Sequence, residues 1–179
     1  MTTYIALLRG INLGPRNKIA MADLRGLLSD LGHGDVRTHI QSGNAIFTSA
    51  RRSPARIAAD IEGGIEERFG LRIAVLVRTR NELADVIASN PFPAAKEEPS
   101  HCFAIFLTEN PSKAAFDGLD PDTYAPDEIR LGDRVIYAWL PNGVQGSKVL
   151  GLLTDVRLGV TATNRNWNTT TKLLELADG

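Results

Sequence analysis

Two stretches of this chain gather side chains suited to holding an anion: RGINLGPRNK at residues 9–18 and QSGN at residues 41–44. Together they offer Arg9, Asn12, Arg16, Lys18, Gln41, Ser42 and Asn44, which are cations, amides and a hydroxyl with no carboxylate among them. Their glycines expose backbone N–H groups, and such surfaces favour anions. The same residue types also suit plain turns, where Gly and Asn are common and Arg and Lys stay solvated. A third stretch, LPNGVQGSK at 140–148, reads as a strand-to-helix connection in which Ser147 is the N-cap and Lys148 stands in the first turn. A cation there opposes the helix dipole by about 0.3–1 kcal/mol unless something negative, such as phosphate, occupies the terminus. The pattern is not a P-loop, because Gly143, Gly146 and Lys148 are wrongly spaced and Val149 replaces the Ser or Thr. A capped helix with an exposed lysine is the plainer alternative.

The fourth stretch, TNRNWNTTTK at 163–172, introduces the last helix. Asn166 or Asn168 can cap it, Arg165 places another cation at a helix start, and Trp167 suits the core or a junction. Three helix starts marked by Lys18, Lys148 and Arg165 argue jointly for an anion site.

Other chemistry finds little support. His33, His39 and His101 show no ligand spacing with one another or with Cys102, so neither a metal nor a cofactor is expected. Cys102 lies in an apolar run and reads as a packed thiol. The acidic run DGLDPDTYAPDE lacks the glycine and closing Glu of a calcium loop and reads as a solvated turn. No paired carboxylates, activated serine or Cys/His constellation stands out. The chain holds 20 basic and 21 acidic residues, so no net field draws it to nucleic acid or a membrane. Residues 1–90 carry 12 Lys/Arg against 9 Asp/Glu and residues 91–179 carry 8 against 12, which are local balances of +3 and −4. A single cysteine, no basic-flanked apolar leader and no apolar run of about 18 residues imply a cytoplasmic chain without a membrane partner.

The elements that must position these residues follow from periodicity. YIALL (4–8) reads as a buried strand, and Met21, Leu24, Leu27, Leu28 and Leu31 recur at helical spacing. VRTHIQ and NAIFTS flank a turn at Ser42-Gly43. Ile57, Ile61, Ile65 and Phe69 mark a helix behind Ser53-Pro54, and RIAVLV (72–77) is a further strand. A helix over 80–89 and the NPFP loop follow. The order then partly repeats: strand CFAIFL, helix 111–118, strands near EIRL and RVIYAWL, helix 148–157, and a last helix over 166–177. VTAT (160–163) fits either a short strand or an irregular connection.

The expected class is α+β, with two tandem ferredoxin-like (βαββαβ-type) units, antiparallel sheets and an extra C-terminal helix. The expected division is an N-terminal unit 1–78, a linker 79–100 and a C-terminal unit 101–179. In such a unit the first and second strands run parallel, so the RGINLGPRNK loop and the QSGN turn leave the same end of the sheet.

On the blocks YIALLRGINLG, NKIAMADLRGLL, IQSGNAIF, NPFP, PNG with SK, and RNWNTTTKL, the chain resembles the DUF 1697 family, mostly bacterial proteins of unknown function. The resemblance implies an α+β fold with ferredoxin-like features and brings no reaction, cofactor or catalytic residue. Its blocks fall on Arg9, Gly10, Asn12, Lys18, Gln41, Ser42, Gly43, Asn44, Ser147, Lys148, Arg165, Asn166 and Trp167. The chain departs from the family pattern at Leu140, where relatives often carry an aromatic, and at Gly146, where they often carry a base.

The leading expectation is a binding module for a phosphate-bearing ligand, a nucleotide or short nucleic acid, in a polar cleft between the units. Arg9, Lys18, Lys148 and Arg165 would supply charge, and Gln41, Ser42, Asn44 and Asn168 would orient the ligand. An enzyme acting on a phosphorylated small molecule is one alternative. The other is a structural or protein-interaction domain whose polar blocks only cap helices, which requires Arg165 and Asn44 to be buried and bonded to backbone.

Overall fold

The computed structural model describes residues 1–179. It is an α+β structure with two four-stranded antiparallel sheets and seven helices. The chain divides into two compact units, Met1–Ala84 with Lys172–Gly179, and Asp85–Thr171. The partition differs from the expected one at both joints. No linker stands apart at 79–100, and the end of the last helix groups with the first sheet.

The first unit runs β1 (Thr2–Leu8), α1 (Met21–Asp30), β2 (Gly34–His39), β3 (Asn44–Ser49), α2 (Pro54–Phe69), β4 (Val75–Thr79) and the start of α3 (Arg80–Ala88). Its sheet order is β2-β3-β1-β4. β1 pairs antiparallel with β3 through Thr2↔Ser49 to Leu7↔Asn44 and with β4 through Tyr4↔Thr79 to Leu8↔Val75. Alternation along the strands sends Tyr4, Ala6, Leu8, Ala45, Phe47, Val75 and Val77 into one core with Leu24, Leu27 and Leu28 of α1 and Ile57, Ile61 and Ile65 of α2. Burying each of those isoleucines contributes about 1.5–3 kcal/mol. Ser53 caps α2 by accepting from the Arg56 amide at 3.3 Å, and Gly70 in the left-handed region closes it.

The second unit runs β5 (Cys102–Leu107), α4 (Lys113–Asp117), α5 (Pro121–Tyr124), β6 (Glu128–Leu131), β7 (Val135–Trp139), α6 (Asp155–Leu158), β8 (Ala162–Asn166) and the start of α7 (Trp167–Asp178). Its sheet order, β6-β7-β5-β8, places first to fourth strands as in the first unit. Phe103, Ile105, Leu107, Ile136, Ala138, Leu153 and Leu158 centre its core.

Three local expectations change. The acidic run is partly helical, with Asp120 capping α5 through the Asp122 amide at 3.0 Å. The expected helix over 148–157 reduces to the four residues of α6, which start after their own cap at Thr154, while residues 148–152 form only bends and turns. Residues 162–166 form β8, so Arg165 belongs to a strand and not to a helix start. No helix is long and apolar enough to cross a membrane.

Candidate functional site

The loop after β1 and the turn between β2 and β3 do leave the same end of the first sheet. The Leu8 amide donates to the Gly43 carbonyl at 2.8 Å, and the Arg9 amide donates to the Ala74 carbonyl at 3.0 Å. Asn12 joins the two loops with its side chain. Its amide nitrogen donates to the carbonyls of Gln41 at 2.7 Å and Ile19 at 2.8 Å, and its oxygen accepts from the Ile19 amide at 3.0 Å. Its backbone amide also donates to the Asn17 carbonyl at 3.0 Å, which closes LGPRN into a small loop. Asn44, fully buried, donates to the His39 carbonyl and to Ser42 Oγ, both at 3.1 Å, and holds the turn from within.

Gly43 is required where these loops meet. Its φ is +86°, and a Cβ there would lie 2.7 Å from Leu8 Cβ and 2.8 Å from Ile11 Cδ1. Gly10, Asn12, Asn17 and Ile40 also have positive φ, so this end of the sheet is built from left-handed turns. The outward surface consists of Arg9, Arg16, Asn17, Lys18 and Gln41, with the apolar Leu13 80% and Ile40 51% exposed. Sequence reasoning brought these loops together correctly and gave Asn12 and Asn44 too outward a role, since their amides hold the loops.

The remaining expected residues lie in the second unit, and there the anion reading meets an occupied place. Asp127, 4% exposed, turns Oδ2 onto the start of the SKVL turn. That oxygen accepts from Ser147 Oγ at 3.0 Å, the Lys148 amide at 2.9 Å and the Val149 amide at 3.2 Å. Ser147 Oγ in turn accepts from the Leu150 amide at 3.3 Å. The protein's own carboxylate thus fills the position expected for a phosphate, while the Lys148 side chain is exposed.

Arg165 is 8% exposed in β8, opposite Ala104, where its Nη1 donates to Thr163 Oγ1 at 2.8 Å and to the Asn164 carbonyl at 2.7 Å. Burial pulls its guanidinium down to about 10, still cationic at neutral pH. Asn166 is the cap of α7, accepting from the Thr169 amide at 2.9 Å, and Asn168 is exposed in the first turn. Trp167 is buried, its ring 6.4 Å from that of Tyr137.

Asp127 and Arg78 escaped sequence reasoning. Arg78 lies buried in β4 and donates through Nη1 to the Val77 carbonyl at 3.2 Å. A signal for it existed. Arg78-Thr79 precedes α3 as Arg165-Asn166 precedes α7, and Thr79 caps through the Glu82 amide at 3.1 Å as Asn166 does through Thr169. No three His, Cys, Asp or Glu side chains converge in a way that could hold a metal.

Comparison with known proteins adds a family and a fold. The model of a family described as "Protein of unknown function (DUF1697)" matches residues 1–137. The chain is similar to the solved structure of a conserved bacterial protein, SP0830, from Streptococcus pneumoniae, at 22% identity and a TM-score of 0.76, with 98% of each chain covered. No curated protein matches the sequence.

Proposed function

We propose, for a chain that belongs to the DUF1697 family of proteins of unknown function, that the β1–α1 loop and the β2–β3 turn form a binding site for a phosphate-bearing ligand, a nucleotide or short nucleic acid. One observation carries the reading. Arg9, Arg16 and Lys18 are exposed on a loop stapled through Asn12 to Gln41, and neither residues 9–20 nor 39–44 contain a carboxylate. A fixed backbone presenting exposed cations, with no carboxylate in either loop, favours a polyanion and loses little entropy in binding it. Ser147, Lys148 and Arg165 are not part of this proposal, because Asp127 already satisfies the first two and Arg165 is a buried strand residue. We extend the same reading to the scaffold and take both units as ferredoxin-like, supported by the shared strand order and by the strand–helix–strand–strand–helix–strand succession of the first.

A structural role is the second reading, and it applies to Asn44 in the first unit and to Arg165 and Asn166 in the second. Arg165 and Asn44 are buried and bonded to backbone carbonyls, as that reading requires, and Asn166 acts as a cap.

Thermal shift at low salt separates the two readings. Inorganic phosphate, mononucleotides and short DNA and RNA oligomers are tested on wild type and on Arg16→Ala/Lys18→Ala. A ligand at 100 times its Kd adds about 2.7 kcal/mol. The proposal expects stabilisation by at least one of them, lost in the double variant. Stabilisation by none, or stabilisation unchanged in the variant, rejects it.

A further inference from the structure

Two features of the loop surface go beyond phosphate binding. Leu13 is 80% exposed and Ile40 is 51% exposed, and each is the chain neighbour of a residue in the Asn12–Gln41 bond that joins the loops. Ile40 also has a φ of +51°. A β-branched side chain in the left-handed region is a genuine outlier, and Gly or Asn would sit there with less strain. Strain of this kind clusters where a side chain is needed for a contact. Neither backbone geometry nor full burial accounts for an isoleucine here.

The same two loops carry Arg16, Asn17, Lys18 and Gln41, all exposed, together with Pro15. Proteins that read the minor groove of duplex nucleic acid combine Arg, Lys, Asn and Gln with Leu, Ile or Pro wedges that press between base steps. Resting on the phosphate-binding reading above, we infer that this end of the first sheet is a wedge for the minor groove of a nucleic-acid duplex. Leu13 and Ile40 bear on a base step while Arg16 and Lys18 engage the flanking phosphates.

Other polyanions fit less well. Single strands are held by stacking on aromatic rings, and residues 9–20 and 39–44 contain no Phe, Tyr or Trp. Insertion into an anionic bilayer would carry the polar side chains of Asn17 and Gln41 toward hydrocarbon along with Leu13 and Ile40, whereas base edges and sugars offer them partners. A wedge must also resist being pushed back. The bonds of the Asn12 side chain and the close seat of Gly43 against Leu8 and Ile11 supply that stiffness. With so few cations, binding is weak and salt-dependent, the slope of log K against log salt being about −0.9 per phosphate engaged.

The test uses the full chain and a short A·T-rich DNA duplex carrying 2-aminopurine at its central step, followed by anisotropy across a series of NaCl concentrations. Binding with a rise in 2-aminopurine fluorescence, the sign of an unstacked step, is expected. Arg16→Ala/Lys18→Ala should flatten the salt slope by about 2. Leu13→Ser/Ile40→Asn should lower duplex affinity about tenfold and remove the fluorescence rise, while any thermal shift with mononucleotide or phosphate stays as in wild type. Ile40→Asn relieves strain, so a folded variant is expected, and circular dichroism checks it. A mononucleotide shift without duplex binding overturns the wedge and leaves the phosphate site standing, whereas loss of both overturns both. Duplex binding without unstacking, or unaffected by Leu13→Ser/Ile40→Asn, also overturns the wedge. So does binding to phosphatidylglycerol vesicles in place of the duplex.

Discussion

Ile40 and Gly43 occupy the same four-residue turn, both at positive φ, and respond to substitution in opposite directions. Ile40→Asn removes a β-branched side chain from a region that Asn tolerates, so the protein should gain about 1 kcal/mol. Chemical denaturation measures it, and a loss of stability would show that the Ile40 side chain packs more productively than its exposure implies. Gly43→Ala meets both obstacles at once, a left-handed backbone and Leu8 and Ile11 within 3 Å of the new Cβ. A loss of about 2 kcal/mol or more is expected, because two buried apolar neighbours must shift. A neutral Gly43→Ala would mean that the turn adopts another conformation in solution. The glycine was legible in the sequence as a turn residue. The left-handed isoleucine was not, since nothing in HIQSGN distinguishes residue 40 as the first of the turn from the last of a strand.

At the scale of elements, the strands with apolar runs and the helices with i, i+4 isoleucines were readable because local period and burial agree. Two elements were not. ATNRN becomes β8 only through its pairing with β5, from Phe103↔Asn166 to Leu107↔Ala162, and carries no alternation of its own. SKVLGLL has the spacing of a helix, yet its first turn is held by Asp127, a residue 20 positions away that no local pattern could nominate. That carboxylate is the element's principal support. Asp127→Ala leaves the Lys148 and Val149 amides and the Ser147 hydroxyl without their buried acceptor, at a cost of about 1–3 kcal/mol. Thermal denaturation of Asp127→Ala beside an exposed control such as Lys148→Ala checks this, and equal stability of the two would dismiss the cap. The anion site expected at Ser147 and Lys148 therefore rested on sound helix-terminus physics applied to an end that the chain fills for itself.

Across the whole molecule, two sheets with one strand order each place a buried arginine fourth in their last strand, Arg78 in β4 and Arg165 in β8, directly before a capped helix. The order of strands and helices made a division into two units legible, whereas the paired arginines went unread and the exact joints stayed hidden, because α3 and α7 each divide between the units. A response to acid is expected from the first unit's core. His33 is buried with its ring 4.6 Å from that of Phe47, and neither ring nitrogen has a hydrogen-bond partner. Burial, and then the nearby Arg51 charge, hold its imidazole below the usual histidine value, opposed in part by Asp60. Above about pH 6.5 the ring is neutral in both the folded and unfolded chain, and its contribution is fully present. As the pH falls below that value the unfolded chain takes up the proton first, so stability drops until the folded-state pKa is passed. His33→Phe keeps an aromatic ring against Phe47 and has nothing to titrate. Wild type should therefore lose more stability than His33→Phe between about pH 7 and pH 5, the difference opening only below about pH 6.5. Parallel melting curves for the two proteins across that window would assign the acid response to other groups and show that the core accepts the charged ring at no cost.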